Sequence, residues 1–484
     1  MIEDIRQALD DGDHRQFDVV IVGAGPAGMS LALELRGSGL KVALLEAGGR
    51  SHPDADAMAL YEADTSGIPY PLPASRQRFF GGTSNHWGGW CRPLDDIDFA
   101  TRDWMPMSGW PIGPDDLAEG YRRANDILEI DSDNYNDPAV VSDSDVLPVA
   151  DGSGFRNRLF RFSPPTRFSE RYGEALERDP DTVVFLHATV TGMDHQNGRV
   201  KLVHVATLEG QRFTLSAGRF VLATGGLEVP RLLLHTATSE SPALGNQSGL
   251  LGRCFMDHFG YAPGYLMTRS ELRYTRFPGR DGYVMPVLAP DQALIRRERL
   301  NNACMTLQPV EPDAVWPPEA LATTPGAGRA LDSEAWRYRV TLINEPSPNP
   351  DSRVTLSDEL DDLGMRRLHL HWLVADADFE AIDRLVHALG YWIGSSGLGR
   401  LQFARPVDDN ARDGLSGGLH HMGTARMSAD AEQGVVDPDC RVFGTDNLYL
   451  ASSAVFPTAG YANPTLTIVA LATRLAGHLR RGEA

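Results

Sequence analysis

The apolar residues near the start of the chain follow a strand–helix–strand pattern. Residues 17–22, FDVVIV, form a nearly continuous apolar run with β-branched side chains, which is typical of a strand buried in a parallel sheet. The segment MSLALELRGSGL, which begins at Met29, has apolar residues at helical spacing, and KVALLEAGG predicts a second strand that leads to Glu46. The pattern predicts a Rossmann-type α/β unit.

The second half of the chain alternates between strand-like and helical patterns. Ser352–Val374 reads as a strand, a turn and a second alternating strand, LHLHWLV. The next segment, ADFEAIDRLVHALGYWIG, has helical spacing. Near the end, TLTIVALATRLAGHL predicts an apolar helix; Asn463 before it would be the N-cap and Pro464 the first helical residue.

The glycines between the first strand and helix form a GxGxxG fingerprint. Gly23 permits the tight turn, Gly25 lets a pyrophosphate approach the backbone, and Gly28 lets helix and strand pack closely. The helix N-terminus then faces the phosphates, and Glu46 binds the ribose hydroxyls. A glycine-rich turn without a nucleotide is the alternative that this strand–turn–helix context disfavours.

Two further segments favour FAD over NAD. The stretch RFVLATGGLEVPRLLL (Arg219–Leu234) predicts another strand that ends in glycines beside the same cofactor, and His187–Met193 is strand-like and would lie against the adenine. The chain carries a single fingerprint, close to its N-terminus. A nucleotide domain assembled from three separated pieces implies that other domains are inserted in it.

Length and charge limit the remaining possibilities. At 484 residues the chain should form two or three domains. A net charge of −20 argues against nucleic acid or anionic lipid, and it reflects either a cationic partner or simply a solvated acidic surface. No apolar run approaches the roughly 18 residues that span a bilayer, and the acidic N-terminus is unlike a signal peptide, so we expect a cytoplasmic protein.

The four cysteines suggest reduced thiols. Without a CxxC pair they fit neither a zinc site nor a disulfide framework. They are widely spaced along the chain: Cys91, Cys254, Cys304 and Cys440.

Several segments together resemble the glucose–methanol–choline (GMC) flavin oxidoreductases. Besides the fingerprint and Arg219–Leu234, they are FFGGTSNHWGGWCRPL (Phe79–Leu94), HHMGTARM (His420–Met427) and Gly434–Leu479, in the order found in that family. The chain most resembles the shorter branch that contains bacterial sugar and polyol dehydrogenases and pyranose oxidases.

The resemblance implies an α/β fold with two domains. One is a discontinuous Rossmann-type FAD-binding domain, expected at residues 15–106, 179–260 and 413–484. The other is a substrate-binding domain built on a mostly antiparallel sheet, expected at residues 107–178 and 261–412. Residues 265–335 carry no motif, and we expect substrate selection there.

The same resemblance assigns the catalytic pair. The family histidine lies three residues before the glycine of a Gly-Thr pair, and His420 keeps that spacing to Gly423. The second position, a His or Asn before the last helix, falls on Asn463. Oxidation of CH–OH removes a proton and a hydride, so neutral His420 would take the proton while Asn463 orients the oxygen and the C–H faces flavin N5. For Asn463, helix capping is an alternative that does not exclude this role.

The fingerprint and the resemblance also assign residues to FAD. In some branches of the family a histidine at the position of His86 carries the flavin covalently, so a covalent link remains open beside hydrogen bonding or stacking by His86 and Trp87. Many relatives have an acid where this chain has Ser452, which leaves the role of Ser452 undefined. The expected FAD-binding residues are Gly23, Gly25, Ala27, Gly28, Glu46, Gly82, Thr83, Asn85, His86, Trp87, Val190, Gly225, Ser453, Asn463, Pro464 and Thr465.

The other histidines have mainly structural interpretations. His421 should point away from His420, as a structural partner or in a supporting role at the site. His258 is either a core or cap histidine or part of the active-site wall. His369 and His371 share one face of a strand, which resembles a metal site, but no carboxylate or cysteine partner is evident.

The leading functional hypothesis is an FAD-dependent alcohol oxidase or dehydrogenase. It would convert a CH–OH group of a sugar, polyol or related compound to a carbonyl and pass electrons to oxygen or another acceptor, between which the sequence does not decide. The partners would be small molecules, with no nucleic acid and no membrane insertion. An FAD-containing lyase or other non-redox enzyme is the alternative, and His420 with Asn463 makes it less favoured. A plain FAD-binding protein is less favoured still.

Overall fold

The computed structural model describes residues 1–53, 55–136, 141, 145–238, 242–311, 335–403 and 415–482. The α-helices are Ile5–Ala8, Pro26–Leu35, Ala55–Ala59, Asp96–Phe99, Pro114–Ile127, Phe168–Glu177, Gly225–Leu234, Gln292–Glu298, Asp376–Ser395 and Thr465–Arg481, and the 3₁₀ turns are Pro73–Ser75, Gly82–Asn85 and Ser453–Val455. The strands are β1 (Ile2–Asp4), β2 (His14–Val22), β3 (Val42–Leu45), β4 (Asp64–Gly67), β5 (Trp90–Cys91), β6 (Phe155–Phe162), β7 (Thr182–Leu186), β8 (Thr189–Gln196), β9 (Arg199–Ala206), β10 (Arg212–Leu222), β11 (Phe259–Thr268), β12 (Phe277–Gly279), β13 (Gly282–Pro290), β14 (Ala303–Pro309), β15 (Trp336–Asn344), β16 (Arg353–Leu360), β17 (Arg366–Trp372), β18 (Gly399–Phe403), β19 (Ser416–Gly417) and β20 (Leu448–Leu450).

The first sheet carries the predicted Rossmann-type unit. Within the described residues its strand order is β1-β7-β3-β2-β10-β9-β8, with β20 also paired to β10. The pairs from β1 through β10 are parallel, as is β10 with β20, while β9 and β8 are antiparallel additions. The fingerprint strand, its helix and the strand before Glu46 are confirmed as β2, Pro26–Leu35 and β3.

The buried apolar run of β2 explains its central place. Val20 and Val22 contact the apolar cluster on one face of the sheet, and Val19 and Ile21 contact the cluster on the other. A strand covered on both faces needs apolar side chains at successive positions, as FDVVIV has. The two segments that favour FAD, Arg219–Leu234 and His187–Met193, contribute to β10 and β8 of this sheet. β10 pairs directly with β2.

The register of this sheet aligns three strand ends. Val22 pairs with Leu45 of β3 on one side and with Leu222 of β10 on the other. The chain therefore leaves the sheet at Gly23, Glu46 and Ala223 along a single edge. In open α/β sheets, ligands bind in the crevice outside the carboxyl ends of such parallel strands.

The second sheet is antiparallel, as the resemblance implies. Among the described residues its order is β18-β11-β15-β14-β13-β6-β5, with β12 on β13 and β19 on β11. The predicted hairpin in Ser352–Val374 is confirmed as β16 and β17, which form a third sheet with β4. The predicted helix after it is confirmed as Asp376–Ser395.

The domain boundaries stay a prediction. β1 joins the first sheet although its residues precede position 15, and β5 joins the second sheet although it lies in the range expected for the FAD-binding domain. The expected boundary between residues 412 and 413, and residues 312–334 of the stretch expected to select the substrate, lie outside the described residues.

Two smaller expectations concern the cysteine thiols and membrane-spanning segments. All four cysteines are buried and free. Across the part of the chain that the structure describes, no helix is both long enough and apolar enough to cross a bilayer.

Candidate functional site

A cavity of about 530 Å³ opens at the aligned strand ends. Its volume lies within the usual range for small-molecule and cofactor sites. Of the residues expected to contact FAD, Gly28 and Asn85 do not line it. Those that do are Gly23, Gly25, Ala27, Glu46, Gly82, Thr83, His86, Trp87, Val190, Gly225, Ser453, Asn463, Pro464 and Thr465.

The fingerprint glycines differ in what surrounds them. Gly23 has φ +104°, and a Cβ there would lie 2.7 Å from the Ala223 carbonyl oxygen. A Cβ on Gly28 would lie 1.9 Å from the carbonyl oxygen of Gly23, so helix and strand could not pack with a larger residue. A Cβ on Gly25 would meet nothing within 4 Å, because Gly25 faces the cavity.

Glu46 is held at the cavity wall by backbone donors. The N–H of Gly48 donates to Glu46 Oε1 at 2.9 Å, and the N–H of Ala24 donates to Oε2 at 3.2 Å. Burial raises the pKa of this carboxyl, although these N–H groups favour the ionised form. The arrangement fixes an acceptor where the ribose of a dinucleotide is expected.

The turn at Gly82–Asn85 packs over the fingerprint. Gly82 has φ +53°, and a Cβ there would lie 2.9 Å from Gly25 Cα. The Asn85 amide donates to the carbonyl oxygens of Phe80 and Gly82, so Asn85 shapes the turn instead of facing the cavity. His86 follows on the cavity wall, and burial lowers the pKa of its imidazole.

Asp257 fixes the loop that carries the paired histidines. Its carboxylate accepts the N–H of His420 at 2.8 Å, the N–H of Leu419 at 3.0 Å and the hydroxyl of Tyr70 at 2.7 Å. Leu419 has φ +62°, a conformation that a non-glycine residue adopts at a cost. Burial raises the pKa of Asp257 to about 6. A buried carboxyl thus holds a strained backbone next to His420.

The structure brings His420 and Asn463 together at the cavity. The Asn463 amide Nδ2 lies 3.0 Å from His420 Nε2, and both residues line the cavity. The prediction that Asn463 caps the last helix is wrong, because Pro464 occupies the cap position and the helix begins at Thr465. The Asn463 side chain, which would have made the cap, is used by His420 instead.

The ring of His421 has different neighbours from that of His420. It packs against the rings of Tyr70 and Phe255, at centroid distances of 5.7 and 6.2 Å. Burial lowers its pKa to about 3. Its carbonyl oxygen accepts a hydrogen bond from the Ser453 hydroxyl at 2.6 Å, which joins the two loops. Ser452, also on the cavity wall, accepts the N–H of Ala454 with its own hydroxyl.

The histidine pair of β17 belongs to the sheet. His369 and His371 both contact the hydroxyl of Ser66 on the neighbouring strand β4, at 3.0 and 2.8 Å. No group of three or more potential metal ligands occurs among the described residues. The two side chains therefore have a structural explanation.

One end of the cavity carries charged side chains that the sequence patterns did not single out. Arg76 contacts Glu228 and donates to the carbonyl oxygen of Tyr61, while Arg78 donates to the Thr189 hydroxyl at 2.6 Å. The two arginines lie just before the Phe79–Leu94 segment and Glu228 lies within Arg219–Leu234, so the charged side chains come from two separate parts of the chain. Of these charged residues, only Glu228 had a clue in the sequence to its place at the cavity, because it closely follows the glycines of the Arg219–Leu234 segment.

The cavity fits FAD chemically. Several buried polar atoms on its wall have no hydrogen-bond partner in the protein, including Thr224 Oγ1, His421 Nε2 and Gln77 Oε1. Buried polar atoms normally have partners, so these are available to a ligand. Together with the open space at Gly25 and the acceptor at Glu46, they match a ligand that has phosphates and a ribose at one end.

Two family profiles match this chain. A family profile described as FAD dependent oxidoreductase matches residues 18–285, more than half of the chain. A second profile, described as GMC oxidoreductase, matches residues 348–472.

Individual relatives align over nearly the whole chain. The 2-methyl-1,2-propanediol dehydrogenase of Mycolicibacterium austroafricanum is 25% identical, with 96% of this chain and 95% of the relative covered. The 6'''-hydroxyparomomycin C oxidase of Streptomyces lividus is also 25% identical, with 99% and 95% covered. The solved structure of pyridoxine 4-oxidase from Mesorbium loti has the same fold, with a TM-score of 0.59, 18% identity, and 96% of this chain and 100% of that chain covered.

Proposed function

Because this chain belongs to the GMC family of FAD-dependent oxidoreductases, which oxidise CH–OH groups, we propose that it oxidises a secondary or primary hydroxyl of a sugar, polyol or related small molecule, with His420 as the base. The observation that carries the proposal is the 3.0 Å contact between His420 Nε2 and the Asn463 amide on the cavity wall. The diol and the hydroxylated compound in the names of two full-length relatives support this substrate class.

His420 and Asn463 would have separate roles at the substrate hydroxyl. Bound FAD supplies the acceptor for the hydride. When substrate binds, the Asn463 amide N–H donates to the substrate oxygen in place of His420 Nε2, which orients the C–H bond. The lone pair of His420 Nε2 is then free to take the hydroxyl proton. Burial, together with the neighbouring His258 and His421, holds the pKa of His420 well below its usual value, so the imidazole is neutral and able to accept a proton.

FAD would be held by the residues already described. The backbone around Gly25 would receive the pyrophosphate, and Glu46 the ribose. The N-terminus of the helix that begins at Thr465 would lie near the redox-active ring, where its N–H groups favour negative charge.

Anaerobic titration with alcohols tests the proposal. Purified protein with its bound FAD is mixed with a panel of sugars, polyols and diols without oxygen, and the flavin absorbance is recorded. We expect at least one compound to bleach the absorbance and to be recovered as its carbonyl product. A panel that leaves the absorbance unchanged, while dithionite bleaches it, would contradict the proposed activity.

Two additions to this experiment extend it. Re-oxidation by air or by an added quinone identifies the electron acceptor. Acid precipitation shows whether FAD is attached to His86, since only attached flavin stays in the pellet. Neither result alters the test of the hydroxyl oxidation.

A further inference from the structure

His258 contacts the imidazole of His420 from the side opposite Asn463. His258 lies directly before β11 and is only 2% exposed. Its Nδ1 lies 2.9 Å from His420 Nδ1, and its Nε2 lies 2.8 Å from the carbonyl oxygen of Gly460. Both ring nitrogens of His258 and both of His420 are therefore engaged in one continuous chain of hydrogen bonds.

The carbonyl group of Gly460, at one end of this series of hydrogen bonds, determines where each hydrogen lies. A carbonyl oxygen can only accept, so His258 Nε2 must donate its hydrogen to Gly460. A neutral imidazole carries one N–H, and His258 Nδ1 is therefore an acceptor. The hydrogen between the two rings must belong to His420 Nδ1, which leaves His420 Nε2 without a hydrogen.

This assignment depends on His258 being neutral, and its surroundings support that. Burial lowers the pKa of His258 to about 4. The titratable groups that face it are His420, whose pKa is also lowered by burial, and Glu345, whose carboxylate is paired with Arg102. The amide Nδ2 placed against His420 Nε2 is a donor, as a bare Nε2 requires.

We propose that His258 is a positioning residue that holds His420 in the tautomer with hydrogen on Nδ1, so that Nε2 is the bare nitrogen facing the substrate. The inference rests on the proposed function only for its catalytic consequence. When the substrate O–H bond breaks, the proton forms the new N–H bond at His420 Nε2, and His420 Nδ1–H continues to donate to His258. The group that accepts one hydrogen bond from a histidine thus selects which nitrogen is the base.

Nitrogen NMR of the intact, FAD-containing protein tests the tautomer without any substrate. Protein labelled with ¹⁵N in its histidine rings is compared with His420→Gln, and the resonances that disappear belong to His420. We expect a protonated Nδ1 and a bare Nε2. A His420 ring with a bare Nδ1 in the wild type would overturn the proposal outright, even if no His258 variant folds.

Three variants connect the tautomer to the rate. His258→Leu removes the acceptor, and we expect a mixture of His420 tautomers and slower anaerobic flavin reduction by a factor on the order of 10–10³. His258→Asn keeps an acceptor oxygen near the Nδ1 position, so it should restore the single tautomer and stay within about tenfold of the wild-type rate. His387→Asn, on an exposed helix surface, is the control that should change neither measurement.

The outcomes separate this proposal from the proposed function. Unchanged His420 resonances and an unchanged rate in His258→Leu would overturn the role of His258. If the tautomer follows the variants as expected but no hydroxyl compound bleaches the flavin, the positioning role stands and the proposed activity fails. Equal losses in His258→Leu and His258→Asn, with the tautomer unaltered in both, would reduce His258 to a structural residue.

Discussion

At the scale of single residues, the adjacent histidines differ because their rings face different neighbours. His420 contacts Asn463 and His258 through its ring nitrogens, whereas the ring of His421 packs against Tyr70 and Phe255. The His420 ring is held by hydrogen bonds from two sides, whereas the His421 ring is held by aromatic packing and leaves its Nε2 open at the cavity wall. Asp257 accepts the N–H groups of Leu419 and His420, which fixes the backbone that carries both rings.

This difference predicts three separate rates. His420→Ala should slow anaerobic flavin reduction by a factor on the order of 10²–10⁴, the usual contribution of a general base. Asn463→Ala should slow it by about 10–10², because the substrate oxygen is less well oriented. His421→Ala should have the smallest effect on the rate. Stopped-flow measurements with matched FAD content check the order, and a slow His421→Ala beside a near-normal His420→Ala would contradict it.

The pH profile of the same step depends on the lowered pKa of His420. In the proposed reaction the neutral imidazole is the active form. Burial, followed by His258 and His421, moves the pKa of His420 well below the usual value. If the base had the ordinary histidine pKa of about 6.5, the rate of flavin reduction would be half its maximum at that pH. We expect a constant reduction rate down to that pH and a decline only under more acidic conditions. A midpoint at or above about 6.5, measured by stopped-flow with FAD retention checked at each pH, would contradict this.

At the scale of secondary-structure elements, the fingerprint turn separates cofactor binding from folding. Gly25 has φ −79° and ψ −172°, an extended conformation open to any residue, and a Cβ there would point into empty space. Gly28 instead lies against the carbonyl oxygen of Gly23, at a distance that no side chain tolerates. One glycine therefore leaves room for the cofactor, and the other lets the helix pack on the strand.

Two matched substitutions should show this. Gly25→Val should give a protein that is colourless, because the side chain fills the pyrophosphate position, yet melts like the wild-type apoprotein. Gly28→Val should lower the melting temperature of the apoprotein or prevent its accumulation, because helix and strand are forced apart. Flavin absorbance and thermal unfolding of FAD-free samples measure the two effects. A yellow Gly25→Val protein would argue against the expected position of the phosphates.

Elements with a local pattern were predictable, and contacts between distant segments were not. The strand at 17–22, the hairpin in Ser352–Val374 and the helix after it follow from periodicities that neighbouring residues share. The sequence alone did not decide between two roles for Asn463. An Asn-Pro pair before a helix fits a helix cap as well as it fits a contact with a residue 43 positions away, such as His420. The contact between His258 and His420 spans 162 positions and leaves no periodic trace.

At the scale of the whole molecule, one buried ion pair connects the second sheet to the active site. Arg102 and Glu345 are both fully buried, and their two hydrogen bonds measure 2.6 and 2.7 Å. Glu345 directly follows β15 and also accepts the N–H of Gly460 at 3.1 Å. Gly460 in turn accepts the hydrogen of His258. The position of Gly460, and through it the hydrogen bond of His258, thus depends on a buried charge pair.

Breaking this pair should therefore cost more than replacing it. Arg102→Met leaves the Glu345 carboxylate buried without its partner, and we expect a loss of about 3–5 kcal/mol in stability. The double variant Arg102→Met/Glu345→Met removes both charges, so its loss should be smaller than the sum of the two single losses. Arg122→Met breaks an exposed pair with Glu119 and should leave the melting temperature essentially at the wild-type value, because exposed ion pairs contribute little. Thermal unfolding of five FAD-free proteins gives the order: the wild type, Arg102→Met, Glu345→Met, the double variant and Arg122→Met. A strictly additive double variant would show that the two charges do not depend on each other.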